Sequence, residues 1–253
     1  MTPHVQRYES AGALHRAAAS AIVALLNEAI AVRGVATFVL SGGSTPRAVY
    51  ESLAAEPARI DWSKVKLFWG DERCVPPAHH DSNYRMTREA LLHAIAIPEG
   101  NIFRIKAERE PRAAAESYAA LLAAEFKLID GELPRFDLVL LGLGEDGHTA
   151  SLFPGTSIVN ETRRLVADVF VPKMNAQRIS MTFPVINNSS NVLFLVSGAG
   201  KAGILRDVLE GEPNVFPAQN VAPTNGTLHW LVDAAAATDL QSTIFHQHSS
   251  LVS

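Results

Sequence analysis

Short runs of nearly unbroken apolar residues, spaced so that helical patterns fall between most of them, constrain this chain more than any other feature. They occupy residues 35–40, 65–69, 136–141, 179–183, 191–196 and 228–232. Helical patterns lie at 46–55, 82–94, 111–129 and 201–209. A strand that is apolar along its whole length needs cover on both faces, and alternating helices supply it. The pattern predicts an α/β fold: an open, mostly parallel sheet with helices on both faces. An edge strand is expected near 165–171, within the least regular stretch, 155–172. Internal repeats, low-complexity tracts and long linkers are lacking, so residues 1–253 are expected to form a single domain.

Charge narrows the partners. There are 22 Lys and Arg residues against 26 Asp and Glu, a net charge of −4. That balance carries no footprint for nucleic acid or an anionic membrane, although a local basic pocket is compatible with it. The first ten residues are polar and lack a signal pattern. The apolar stretch 17–30 is interrupted by Ser20, Asn27 and Glu28. It falls short of the roughly 20 apolar residues of a membrane span and reads as an amphipathic helix capped by Ser10. Cys74 is the only cysteine, so no intrachain disulfide is possible and a cytoplasmic protein is expected.

Gly42, Gly70, Gly142 and Gly198 each follow an apolar run. In a parallel sheet such positions share one edge, beyond the carboxyl ends of the strands, where ligands bind. Four distant loops (41–47, 70–85, 142–155 and 197–203) are thereby gathered into one candidate site. The first, LSGGSTP, runs from a strand into a helix with Pro46 in its opening turn. Gly42, Gly43, Ser44 and Thr45 there suit a phosphate, through free backbone N–H groups, two hydroxyls and the helix dipole. A plain capped turn has the same residues. No Walker-type GxxxxGK[ST] string occurs.

The second loop, WGDERCVPP, sets Asp71, Glu72 and Arg73 directly after a strand, a costly placement unless they pair or meet a ligand. His79, His80 and Asp81 lack a second ligand cluster at useful spacing and read as solvated loop residues. Cys74 reads as packing. The third loop, LGLGEDGHTASLFP, holds His148 in a glycine-dense turn beside Glu145 and Asp146, a general base with an orienting acid. The strings 142–147 and 198–203 both match GxGxxG, but Pro154 and Gly155 cut short any helix after the first. Lys201 stands where the second would meet a pyrophosphate, so nicotinamide dinucleotide binding is rejected. No GxSxG elbow or HExxH string occurs. Finally, Arg178 at a strand start and Lys201 after the next strand are two cations suited to a phosphate monoester.

Together LSGGSTPRAVYESLA, WGDERCVPPAHHDSNY, FDLVLLGLGEDGHTASLFPG, RISMTFPVIN, the Lys201 loop and PAQNV resemble the 6-phosphogluconolactonases, within the wider group that includes glucosamine-6-phosphate deaminases. The resemblance runs nearly the full chain. It implies a Rossmann-like parallel α/β fold and hydrolysis of 6-phospho-D-glucono-1,5-lactone in the oxidative pentose phosphate pathway. It also implies a small sugar-phosphate substrate, no metal or organic cofactor, and a monomer or weak homodimer. By motif, His148 resembles the base that activates water, with Asp146 beside it. Asp71 and Arg73 resemble polar partners at the reacting end, and Ser44, Thr45, Arg178 and Lys201 a phosphate clamp. One departure stands out, and one difference sets the chain apart from the rival deaminases. Before Arg178 the chain reads KMNAQ, where relatives are rich in proline. Five residues after the histidine, where the deaminases carry a glutamate, it has Phe153. A sugar-phosphate sensor without turnover is the alternative of a different class.

Overall fold

The computed structural model describes residues 4–245. In chain order the strands are β1 (His4–Tyr8), β2 (Ala36–Leu40), β3 (Val65–Trp69), β4 (Asp71–Arg73) and β5 (Ile102–Phe103). They continue with β6 (Leu138–Gly142), β7 (Val166–Val171), β8 (Ala176–Met181), β9 (Asn191–Val196) and β10 (Thr227–Asp233). The helices are α1 (Ala11–Arg33), α2 (Ser44–Ala55), α3 (Asn83–Thr87), α4 (Pro111–Phe126), α5 (Phe183–Asn187) and α6 (Ala202–Glu210). Among the described residues, a parallel sheet of order β1-β10-β9-β6-β2-β3-β5 forms the body and β4-β8-β7 form a small antiparallel sheet.

Local chemistry explains the helices. Ser10 caps α1 by accepting the Ala13 N–H (3.2 Å), and Gly34 ends it in a left-handed turn at φ 76°. Its 23 residues are long and apolar enough to cross a membrane by length and composition. Here its row of Leu14, Ala18, Ile22 and Leu26, spaced four apart, is fully buried in the core. In α4, Glu110 accepts two first-turn N–H groups before Pro111, and Lys127 closes the helix at φ 53°, three residues short of the expected end. The helix expected over 82–94 is α3 followed by a widened π-type turn, Arg88–Leu92.

The small sheet corrects the expectation of one sheet. The strand expected at 179–183 is β8, and it pairs antiparallel with β7 rather than joining the parallel body. The reason is local. Pro172–Met174 form a tight turn closed by Asn175 in the left-handed region (φ 46°), so β7 and β8 fold back as a hairpin. The KMNAQ departure is thus that turn and the start of β8. The strand expected near 165–171 is β7, at the edge of this sheet. Asp71–Arg73 is a strand as well, not simply loop: it leaves the main sheet after Gly70 and pairs with β8, with Arg73 opposite Arg178. β1, with its alternating HVQRY sequence, and the two-residue β5 lie outside the runs recognised in the sequence.

Buried polar groups stitch the carboxyl ends of the strands. The Tyr50 hydroxyl accepts the Ser41 N–H and donates to the Ser41 carbonyl, both at 2.9 Å, just past β2. Tyr118 does the same for β3, accepting the Trp69 N–H (3.0 Å) and lying 3.2 Å from the Trp69 carbonyl and 3.1 Å from that of Phe103. Both side chains are sealed from water. Removing one hydroxyl strands a buried amide. Tyr118→Phe is therefore expected to lower unfolding free energy by about 1–3 kcal/mol, read as a lower urea midpoint at an unchanged m-value.

Candidate active site

A cleft of about 260 Å³ opens beyond the carboxyl ends of β2, β6 and β9 and draws walls from all four expected loops. Gly42, Gly43, Ser44, Thr45, Asp71, Arg73, His148, Arg178 and Lys201 line it. Asp146 stands behind the wall, bonded to His148.

Backbone geometry delivers the histidine. Gly147 turns the chain at φ 73°, and the Gly144 N–H donates to the His148 carbonyl at 2.8 Å, closing a tight loop. The imidazole lies between Gly144, where a Cβ would come within 2.0 Å of Nδ1, and the Phe153 ring, stacked at 3.8 Å. Its Nδ1 is 2.5 Å from Asp146 Oδ1, which also accepts the His148 backbone N–H at 3.3 Å. Nδ1–H donating to the carboxylate leaves Nε2 with its lone pair. Burial lowers the imidazole's pKa below its ordinary 6.5, against the raising pull of Asp146 and Asp71. Burial, the largest single influence, raises the Asp146 pKa, but the hydrogen bonds and charge of His148 together with Lys173, whose Nζ lies 3.5 Å from Oδ2, outweigh it and hold this carboxyl below its usual range. Asp146, not the exposed Glu145, is the acid on the histidine.

Asp71 is 5% exposed. Ser151 Oγ donates to its Oδ2 (2.6 Å), and the Asn83 amide donates to its Oδ1 (3.2 Å) and its carbonyl (3.0 Å). Asn83 in turn packs against Gly42, where a Cβ would meet it at 2.0 Å. Glu72 is buried with its carboxylate on the N–H groups of Arg73, Asn83 and Tyr84, each at 2.8 Å, and on the Ser82 hydroxyl, so it anchors the start of α3. The positive groups are less satisfied. Arg73 Nη1 donates to the Asp81 carbonyl (2.6 Å), and Arg178, over the Phe153 ring, finds among the described residues no acceptor but the Met174 sulfur (3.1 Å from Nη2); the Nε of each is buried without a partner among them. Burial and the neighbouring Arg73 lower the Arg178 pKa. A buried guanidinium with only a thioether acceptor calls for an anion.

The opposite wall is the start of α2. Gly43 (φ 107°) caps it without a side-chain bond to the first-turn N–H groups. Lys201 ends the turn Ala199–Lys201 before α6, and its ammonium forms no ion pair among the described residues. Open helix N–H groups facing free cations form an anion site.

Known proteins resemble this chain in sequence and fold. Residues 9–230 match the family described as glucosamine-6-phosphate isomerases/6-phosphogluconolactonase. A 6-phosphogluconolactonase of Synechocystis is 41% identical over 95% of this chain and all of its own length. The chain belongs to the glucosamine-6-phosphate isomerase/6-phosphogluconolactonase family. Within that family, the solved 6-phosphogluconolactonase of Trypanosoma brucei superposes with a TM-score of 0.85 at 31% identity, over 94% of this chain and 99% of its own. A monomeric glucosamine-6-phosphate deaminase shares the fold alone, with a TM-score of 0.77 at 21% identity over 93% of this chain and 99% of its own.

In this family member the structure brings all the predicted site residues to one place, but two sit differently from expectation. Arg178 is the third residue of β8, in the small sheet, rather than at the start of a strand in the parallel body. Both Asp71 oxygens accept hydrogen bonds from the protein, so its side chain holds the cleft together as well as lining it. Asn83, Ser151 and Phe153 carry contacts that their spacing did not announce. Asn83 belongs to the quoted DSNY string, but only folding sets it against Gly42. His79, His80 and Asp81 bring ligand atoms within 4.8 Å of one another, yet all three are more than a third exposed in their side chains and the His79 Nδ1 already accepts the Asp81 N–H (3.2 Å). Burial pushes the Cys74 thiol up to about 11, as a packed, protonated thiol. Gly144→Ala is expected to displace the imidazole and cut kcat at least about 10²-fold, with circular dichroism unchanged; near-normal turnover would show that the ring is not held there.

Proposed function

We propose that this protein hydrolyses 6-phospho-D-glucono-1,5-lactone to 6-phospho-D-gluconate, as a cytoplasmic, single-domain monomer or weak homodimer. The observation that carries this reading is the His148–Asp146 pair at 2.5 Å, set in a cleft with partly unsatisfied arginines and a free lysine. The 41%-identical relative bearing the lactonase name supports it. Nε2 of His148 takes a proton from water as the water oxygen bonds to the lactone carbonyl carbon. The carbonyl oxygen becomes an oxyanion that Arg73 steadies. The ring C–O bond then breaks, and the imidazolium returns its proton to the departing ring oxygen. One water is consumed, one carboxylic acid and one hydroxyl are formed, and no covalent intermediate is needed. Asp146 holds the tautomer that makes this possible.

The phosphate sits toward the other wall, on the Ser44 and Thr45 hydroxyls and N–H groups, the Gly42–Gly43 backbone and Lys201, with Arg178 contributing from the Arg73 side of the cleft. Binding energy from that remote group orients the small reacting centre. Phe153 stacks on the histidine and can neither accept nor donate a proton, which favours lactone hydrolysis over ring-opening deamination. Fresh lactone added to the purified protein should release protons catalytically. Binding without turnover would indicate a sensor, and ammonia released from glucosamine 6-phosphate at comparable rate would reverse the assignment.

Substitution and pH test the roles. His148→Ala should lower kcat by about 10²- to 10⁴-fold while 6-phosphogluconate still binds. Lys201→Ala should weaken phosphorylated ligands by about 10- to 100-fold, the worth of one charge-assisted hydrogen bond. Because burial holds the imidazole pKa below 6.5, neutral base predominates at pH 7. Accordingly kcat/KM should be flat there and fall as pH drops through that lowered pKa. Asp146 raises the pKa of its partner, so Asp146→Asn should move this acidic limb to still lower pH; a limb that stays or rises would contradict the pairing.

A further inference from the structure

The carboxylate of Asp233 is 3% exposed and lies outside the walls of the cleft. It ends β10, one position past the Val232–Val196 register pair that ends the β9–β10 ladder. Four donor contacts converge on it. Ser197 Oγ donates to Oδ2 at 2.6 Å, the Gly198 N–H lies 3.1 Å from both oxygens, and the Ala236 N–H donates to Oδ1 at 2.7 Å. One carboxylate therefore ties the turn after β9 to the turn after β10.

What it ties leads to the cleft. Gly198 is held at φ 98°, ψ 145°, a conformation that favours glycine. Its carbonyl accepts the Lys201 N–H at 3.0 Å, closing the short turn that aims Lys201. Ser197 and Lys201 both line the cleft. We infer that Asp233 is a positioning residue for the anion-binding wall, acting through Ser197 and Gly198 to set where the Lys201 ammonium stands. This inference rests on the phosphate-clamp reading above. A carboxylate suits the task because it accepts on both oxygens. An amide of the same shape sets an N–H₂ 3.1 Å from the Gly198 N–H in either orientation, and must also either face the Ala236 N–H or make Ser197 reverse its hydroxyl to accept.

The test compares Asp233→Asn, Ser197→Ala and Lys201→Ala on 6-phosphogluconolactone and on unphosphorylated glucono-1,5-lactone. Asp233→Asn is expected to raise KM for the phosphorylated lactone about tenfold or more with kcat changed less than about threefold. The preference for phosphorylated over unphosphorylated lactone should fall by a similar factor. Ser197→Ala, which removes one of the four contacts and leaves the fold's backbone bonds intact, should shift the same ratio in the same direction by less. Ser197→Thr, which keeps the hydroxyl, should restore it. An equal loss on both lactones would mark Asp233 as a stability residue and overturn the inference. So would a lost preference in Lys201→Ala with none in Asp233→Asn, or in Ser197→Ala should Asp233→Asn not fold. An intact preference in Lys201→Ala would remove the clamp itself, and this inference with it.

Discussion

A charge buried between three loops holds the site together. Asp71 emerges from the end of β3 into the interior, where an isolated carboxylate costs several kcal/mol (about that per ion, after relaxation). Its hydrogen bonds from Ser151 and Asn83 offset that cost only if the histidine loop and the start of α3 both stand where they do. The loops are therefore not free to choose their own conformations. Asn83 also presses on Gly42, which extends the constraint to the glycine loop and hence to the start of α2. Position in the cleft is inherited from one carboxylate.

Around that negative centre the cleft is short of anions. Arg73 and Arg178 are register neighbours, each with an unpartnered buried Nε, and Arg178's charge is disfavoured by burial and by Arg73. A protein that placed these groups only for stability would have given them carboxylates. In the proposed reaction a phosphate and a developing oxyanion supply the missing charge, and they do so only while substrate is bound. The histidine follows a related logic. Burial makes it a neutral base at pH 7, while Asp146 keeps it from becoming too weak a base to take a proton.

Much of this was legible in the residues. The runs at 35–40, 65–69 and 191–196 are strands almost to the residue, because a parallel strand covered on both faces is apolar throughout and leaves no ambiguity of period. The loops were legible as a set because glycines mark the points where strands end. Less legible were β1, whose polar alternation reads as a tail until β10 lies beside it, and β4. Three charged residues signal a loop in sequence, and they form a strand only because β8 offers them a partner. Glu72 illustrates the same limit: its buried carboxylate is affordable through N–H groups of residues 83 and 84, eleven and twelve positions away.

By itself the sequence determined the alternation of strands and helices, the edge at which the cleft opens, and most of the side chains that arrive there: His148, Asp71, Arg73, Lys201 and the Ser44–Thr45 turn. Those follow from periodicity and glycine placement, which are local properties of the chain. Tertiary structure alone decided that β8 turns back on β7 and sets Arg178 against Arg73, that Asp146 rather than Glu145 grips the imidazole, and that Phe153 and Gly144 clasp its two faces. It also decided that Asp233 governs a turn it does not adjoin in sequence. Each of these is a contact whose energy depends on distance and burial, and neither is encoded in spacing along a chain until the whole chain has packed.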